Sequence, residues 1–202
     1  GVNKIWLIVG GIFSALEPLA FLAMALFAVY MYRKGEKSHP NKIALFWTIG
    51  ASIVSFVGAG LLGFAHTLPQ TNIYTHGTLV TAMHGHYAFW GAYAMIVLAI
   101  ISYALPNMTG RKRYNSTQGH MAFWFSNVGM LGMTVAFGVA GVAQVYLERK
   151  MKMDFMDVQN EIAIHFVVLL VCATLFATGI TMFIIEFIKY GKPTDEALIK
   201  EE

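Results

Sequence analysis

Met83-His84-Gly85-His86-Tyr87-Ala88-Phe89-Trp90 sits inside an apolar run from about Tyr74 to Leu105, and its two histidines decide how the rest of the chain is read. A run of that length is a membrane-crossing helix, because about 20 residues span the hydrocarbon core. On a helix, side chains two positions apart point about 200° away from each other. His84 and His86 therefore cannot share one metal ion, but they can reach two different ones on opposite sides of the same helix. Titratable side chains at membrane depth are costly and mark functional sites by default. Two axial heme ligands carried by one transmembrane helix satisfy both constraints. The plainer alternative is a pair of histidines hydrogen-bonded to neighbouring helices.

Working outward, five segments are apolar enough to span: Ile5–Tyr32, Ile43–Ala65, Tyr74–Leu105, His120–Leu147 and Phe155–Tyr190. The expected fold is all-α, one polytopic transmembrane bundle over residues 1–202 with short loops. Composition agrees. Of 202 residues 57% are hydrophobic and 12% charged, about half the charged share of a soluble domain. No basic stripe interleaved with aromatics exists, which speaks against nucleic-acid binding. Cys172 is the single cysteine, so neither a disulfide framework nor a thiolate metal site is available.

Loop charge orients the bundle in the lipid bilayer. Arg33, Lys34, Lys37 and Lys42 lie between the first two spans, Arg111, Lys112 and Arg113 between the third and fourth, and Lys189 and Lys192 at the end of the fifth. The loop from Ala65 to Tyr74 carries no Lys, Arg, Asp or Glu, and the fourth loop is mixed. The N-terminus is thus expected outside and the C-terminus in the cytoplasm. The sequons at Asn107 and Asn115 then fall on the cytoplasmic side and carry no weight. His84 and His86 lie ~12–15 Å along the helix from His76, in the outer half of the membrane.

Glu17 is the second anomaly. It sits ~18 Å into the first span and precedes Pro18, which cannot donate a backbone hydrogen bond and frees the carbonyl of Ser14. Ser14, that carbonyl and Glu17 form a polar spot in an apolar helix. This suits a proton relay or a carboxylate beside a charged redox centre; a proline kink with a protonated glutamate is the structural alternative. The turn from His66 to Thr78 is rich in hydrogen-bonding groups but uncharged, and His76 and Thr75 are candidate donors to heme propionates. The glycines of spans two and four, Gly58, Gly60 and Gly63 among them, read as close helix packing. Gly85 and Gly91 could make room for a macrocycle. His165, Glu161 and Asn160 read as interfacial, His39 and His120 as structural, and Glu186 as a partner of Lys189 three residues on.

The stretch from Tyr74 to Tyr93 resembles the tenth helix of the heme–copper oxidase superfamily, and most closely that of the catalytic subunits of the bacterial nitric oxide reductases. Phe13-Ser14-Ala15-Leu16-Glu17 resembles the eighth helix of that family with its intramembrane glutamate. Gly58-Ala59-Gly60-Leu61-Leu62-Gly63-Phe64-Ala65-His66-Thr67-Leu68 resembles its ninth, and Gly141-Val142-Ala143-Gln144-Val145-Tyr146-Leu147 its eleventh. Gly85 stands where oxygen reductases usually carry a bulkier residue. The flank Tyr87-Ala88-Phe89-Trp90-Gly91-Ala92-Tyr93 looks more like the cytochrome c-dependent type than the quinol-dependent one.

The resemblance implies that His84 is the axial ligand of a high-spin heme b3, where substrate binds, and that His86 is one of two axial ligands of a low-spin heme b. It implies that Glu17 helps deliver protons beside the binuclear centre, and that Ser14, Thr67 and His76 lie around proton access and the heme propionates. The family's subunit has about twelve helices, and this chain corresponds to the last five. The second histidine on heme b and the ligands of the non-heme iron are not among them. The chain is therefore expected to be the C-terminal portion of a longer catalytic subunit, or to meet the remaining helices on another chain. A membrane-anchored cytochrome c subunit, nitric oxide as substrate and the bacterial inner membrane, with this segment's N-terminus periplasmic, complete the implied setting. Within the superfamily an oxygen-reducing oxidase with copper as second metal, or a nitric oxide dismutase, would share this segment. Outside it stand a heme-carrying electron-relay anchor and a transporter or structural bundle without cofactor.

Overall fold

The computed structural model describes residues 4–35, 41–110 and 117–189, and among them every regular element is helical. The first span is α1 (Lys4–Ser14) followed by α2 (Glu17–Lys34). The second joins α3 (Lys42–Ser55), a π-helical turn (Phe56–Leu61) and α4 (Leu62–Thr67). After a short α5 (Pro69–Thr75) come α6 (Leu79–Phe89), a second π turn (Trp90–Ala94) and α7 (Met95–Thr109). The fourth span is α8 (Thr117–Val145) with a third π turn (Tyr146–Lys150); α9 (Phe155–Glu161) and α10 (Ala163–Lys189) complete the chain. Lys37, His39, Arg111, Lys112, Arg113, Asn115, Tyr190 and Lys192 lie outside the described residues, as does the Lys189 side chain.

Five helices are long and apolar enough to cross a membrane: Ile8–Lys34, Lys42–Thr67, Leu79–Met108, Thr117–Lys150 and Ala163–Ile188. Most boundaries shift by a few residues, and two starts differ by a turn or more from the sequence reading. The third span starts at Leu79 rather than Tyr74, because Gly77 takes a left-handed φ of 73° and Thr78 then caps a new helix, its Oγ1 accepting from Val80 N at 3.3 Å. The fifth starts at Ala163 rather than Phe155, because the chain breaks at Ile162 between α9 and α10. Polar residues do mark both breaks, Thr75-His76-Gly77-Thr78 before α6 and Asn160-Glu161 before α10, but apolar residues on their far side, Tyr74 and Phe155, extend the sequence reading past them. The first correction moves the site: measured from Leu79, His84 and His86 lie only ~8–11 Å inside the helix.

Pro18 does break the first span. Leu16 N bonds Phe13 O at 3.1 Å, a tightened last turn, and α2 restarts at Glu17. Glu17 thus occupies the first turn of a helix, where the backbone N–H groups and the macrodipole favour a negative charge.

Trp47 is the centre of the packed core. Its ring, fully buried, meets Trp90, Phe123 and Phe183 edge-on at centroid distances of 6.1, 5.1 and 5.8 Å. This cluster joins α3, α8, α10 and the π turn after α6. Asn41 ties the start of α3 to α7, its Oδ1 accepting from Ala44 N and its Nδ2 donating to Ser102 O at 2.7 Å. Between α8 and α10 the backbones nearly touch: a Cβ on Gly129 would lie 2.5 Å from Phe176 N, and one on Gly179 2.5 Å from Ser126 N. In lipid, where apolar burial drives little association, such close approach supplies the packing. Gly179→Leu should therefore push α10 off α8 and cost about 1–3 kcal/mol of stability, read as a lowered unfolding midpoint in detergent; an unchanged midpoint would deny that contact its role.

Candidate functional site

His84 and His86 use the same local device on opposite sides of α6. His84 Nδ1 lies 2.9 Å from Gly58 O, and His86 Nδ1 2.8 Å from Ala82 O. A carbonyl can only accept, so each Nδ1 carries the hydrogen and donates it. Each Nε2 is left with its lone pair, the tautomer and orientation a metal-ligating imidazole needs. For His86 the carbonyl belongs to its own helix; for His84 it is borrowed from the π turn of the second span. A π turn is a frequent companion of functional sites because it displaces the helix register by one residue. Gly58 also has to be glycine here, since a Cβ would lie 2.8 Å from Ala88 N and from Tyr87 C.

The two imidazoles face different surroundings. His86 opens on an apolar cleft of about 570 Å³ lined by Ala82, Gly85, Phe89, Trp90, Met130 and Phe176. Its ring lies 4.9 Å from Phe137. Gly85 has nothing within 4 Å of where a Cβ would stand, so α6 presents bare backbone to that cleft. Trp90 is held by its indole N–H donating to Asn127 Oδ1 at 3.1 Å. The apolar lining fits a flat macrocycle whose metal His86 would hold.

His84 faces a polar corner. A Cβ on Gly63 would lie 3.4 Å from His84 Cε1, 4.0 Å from its Nε2 and 4.0 Å from Glu17 Oε2. The lone pair of His84 and the carboxylate of Glu17 are thus neighbours of one point that glycine keeps clear. Next to them the His66 ring stacks on His84, with centroids 5.0 Å apart and planes 24° from parallel. A cleft of about 880 Å³ opens beside this corner, toward α5 and the third π turn; Ser14, His66, Thr67, His76 and Arg149 line it. An imidazole with a free Nε2, a carboxylate within reach and a polar cleft fit a second heme with proton-handling groups at its side. Among the described residues no cluster of three His, Cys, Asp or Glu side chains is placed to hold a metal ion.

The structure thus places Glu17 of α2 and His84 of α6 beside Gly63, and Ser14 of α1, Thr67 of α4 and His76 after α5 along the cleft that His66 also lines. Thr67 Oγ1 donates to Phe64 O at 2.8 Å. His76 is exposed, and its carbonyl takes a bond of 3.5 Å from Arg149. Thr75 sits apart from the cleft: its hydroxyl donates to Thr71 O, and its carbonyl accepts from Thr78 and Thr81. That is a turn-building role. Gly91 does not make room for a macrocycle, because a Cβ there would lie 2.6 Å from Ser55 N, against α3. Glu186 turns inward. It is 2% exposed, with its Oε2 2.8 Å from where a Cβ on Gly119 would stand.

Sequence reasoning missed Gly58 and Gly63 as site residues and read them as packing. It also left His66 within a polar turn. The signal was absent for a physical reason: the π turn shifts the register, so 3.6-residue periodicity does not say which glycine of Gly58, Gly60 and Gly63 meets His84.

Residues 1–184 match the family model for Cytochrome C and Quinol oxidase polypeptide I. The chain is also similar to a nitric oxide reductase component of Stutzerimonas stutzeri, 41% identical over 200 residues, which cover 95% of this chain and 42% of that protein. It therefore spans less than half the length of that relative.

Proposed function

Because the chain belongs to the cytochrome c and quinol oxidase polypeptide I family, the heme–copper oxidases, we propose that it forms the two-heme portion of a membrane-bound nitric oxide reductase. Family membership implies heme and iron cofactors in a multi-pass membrane protein. The single observation that carries the finer reading is the pair of backbone-locked imidazoles on α6, each with a free Nε2 and each facing different surroundings. The relative's name adds the substrate. In this reading His86 holds low-spin heme b, and His84 holds high-spin heme b3 beside a non-heme iron whose ligands are elsewhere in the assembly. Residues 1–202 act as one transmembrane unit that meets the remaining helices of a longer catalytic subunit.

When bound, the hemes and iron supply electrons and the coordination sites at which two nitric oxide molecules, two electrons and two protons give nitrous oxide and water. The chain's own residues do the rest. His84 and His86 fix the relative setting of the two sites, because both side chains leave one rigid helix with their rings pinned at Nδ1. The apolar lining of the His86 cleft excludes water from it. Glu17, at the start of α2 and beside the His84 lone pair, holds a proton at its carboxyl oxygen and releases it toward the reacting oxygen. Ser14 and Thr67, in the polar cleft, supply hydroxyls along which a proton reaches Glu17. Arg33, Lys34 and Lys42 at one end, against the uncharged α5 loop at the other, support an N-terminus facing the periplasm of the bacterial inner membrane. Protons and electrons would then both arrive from the outer side, with a membrane-anchored cytochrome c subunit as the donor partner.

Glu17→Gln tests the proton role. It keeps size and hydrogen bonding but cannot exchange a proton, so turnover should fall about 100-fold or more while the optical spectra of both hemes stay unchanged. Nitric oxide consumption and nitrous oxide release by the purified assembly are the readout. Oxygen uptake without nitrous oxide would move the proposal to the oxygen-reducing branch, and full activity of the glutamine variant would remove Glu17 from the proton path.

A further inference from the structure

We propose that His66 is a positioning residue for the His84 imidazole, setting the plane in which that ring presents its Nε2. The inference rests on the reading of His84 as a heme ligand. Three observations carry it. His66 and His84 are stacked, 5.0 Å between centroids and 24° between planes. Both rings hang from the same stretch of helix: His84 Nδ1 donates to Gly58 O and His66 Nδ1 to Leu62 O, at 2.9 and 2.8 Å. Those carbonyls are four residues apart, about one helical turn, so the two rings are anchored side by side along one helix. Third, His66 Nε2 is buried without a hydrogen-bond partner among the described residues. A buried polar atom is normally satisfied, so this ring occupies its place for a reason that its own hydrogen bonding does not explain.

One hydrogen bond to Nδ1 leaves an imidazole free to swing about that bond. A flat neighbour pressed on its face removes the swing, and offset-stacked rings at this separation attract. His66 thereby acts through His84 and needs no contact with the reacting atoms.

The test uses the assembled enzyme and the iron–histidine stretching band of its reduced high-spin heme. His66→Leu keeps bulk but removes the flat face; His66→Phe keeps the face and removes both nitrogens. The leucine variant should shift and broaden the band while the low-spin heme spectrum stays as in the wild type, and the phenylalanine variant should restore a single band at the wild-type position. Equal behaviour of the two variants, including equal failure to retain the heme, overturns the proposal. So does a wild-type band in the leucine variant. A wild-type assembly without any high-spin heme would instead defeat the two-heme reading itself, which keeps the two failures apart.

Discussion

On the proposed two-heme reading, the His84→Ala variant of the assembled enzyme should lose its high-spin heme and all nitric oxide turnover while its low-spin heme remains. The independence of the two losses is the informative part. His84 is pinned from the second span through Gly58 O, whereas His86 is pinned within α6 through Ala82 O. Removing one imidazole leaves the other's hydrogen bond untouched. The surroundings are separate as well: Phe89, Trp90 and Met130 surround His86, while Glu17 and His66 neighbour His84. His86→Ala should give the converse spectrum, a high-spin heme that can no longer be reduced at the enzyme's normal rate. Optical and electron paramagnetic resonance spectra of both variants decide the matter. Loss of both signals together in either variant would show that the histidines serve one shared site, against the geometry of α6.

Gly58→Ala should be nearly as damaging although it removes nothing. The added carbon would lie 2.8 Å from Ala88 N and Tyr87 C and 2.9 Å from Tyr87 O. These are backbone atoms and cannot step aside as a flexible side chain would. The second span must move away from α6, at a cost of about 1–3 kcal/mol for overpacking. The same movement lengthens the 2.9 Å bond from His84 Nδ1. Loss of such an outer partner typically weakens metal binding roughly 10–100-fold, so the variant should bind its high-spin heme that much more weakly in a heme titration. Gly10→Ala is the control, because nothing lies within 4 Å of the added carbon. Wild-type heme retention in Gly58→Ala would mean that the borrowed carbonyl is dispensable.

Much of this site was legible from residue types alone. The membrane spans follow from apolar length, and the opposed directions of His84 and His86 follow from a spacing of two on a helix. Glu17 and Pro18 stood out because a carboxylate and a proline in an apolar span are each exceptional, and the helix does break there. Less legible were the starts of the third and fifth spans. Polar residues precede both Leu79 and Ala163, but it is Gly77 with Thr78, and the break at Ile162, that set the starts. Glu186 reads from sequence as a partner of Lys189, whose side chain lies outside the described residues; that its carboxylate packs inward beside Gly119 is not readable there.

By itself, then, the chain's sequence determined an all-helical membrane bundle, two histidines bound to look in opposite directions, and an acid deep in the first span. Those are consequences of composition and of helix geometry, which act within a single segment. Which backbone carbonyl orients His84, which glycine keeps its lone pair and Glu17 clear, and which ring lies on its face were decided only by tertiary structure. They depend on how two helices approach, and the π turn at Phe56–Leu61 shifts that approach by one residue, a displacement no periodic pattern within either helix encodes.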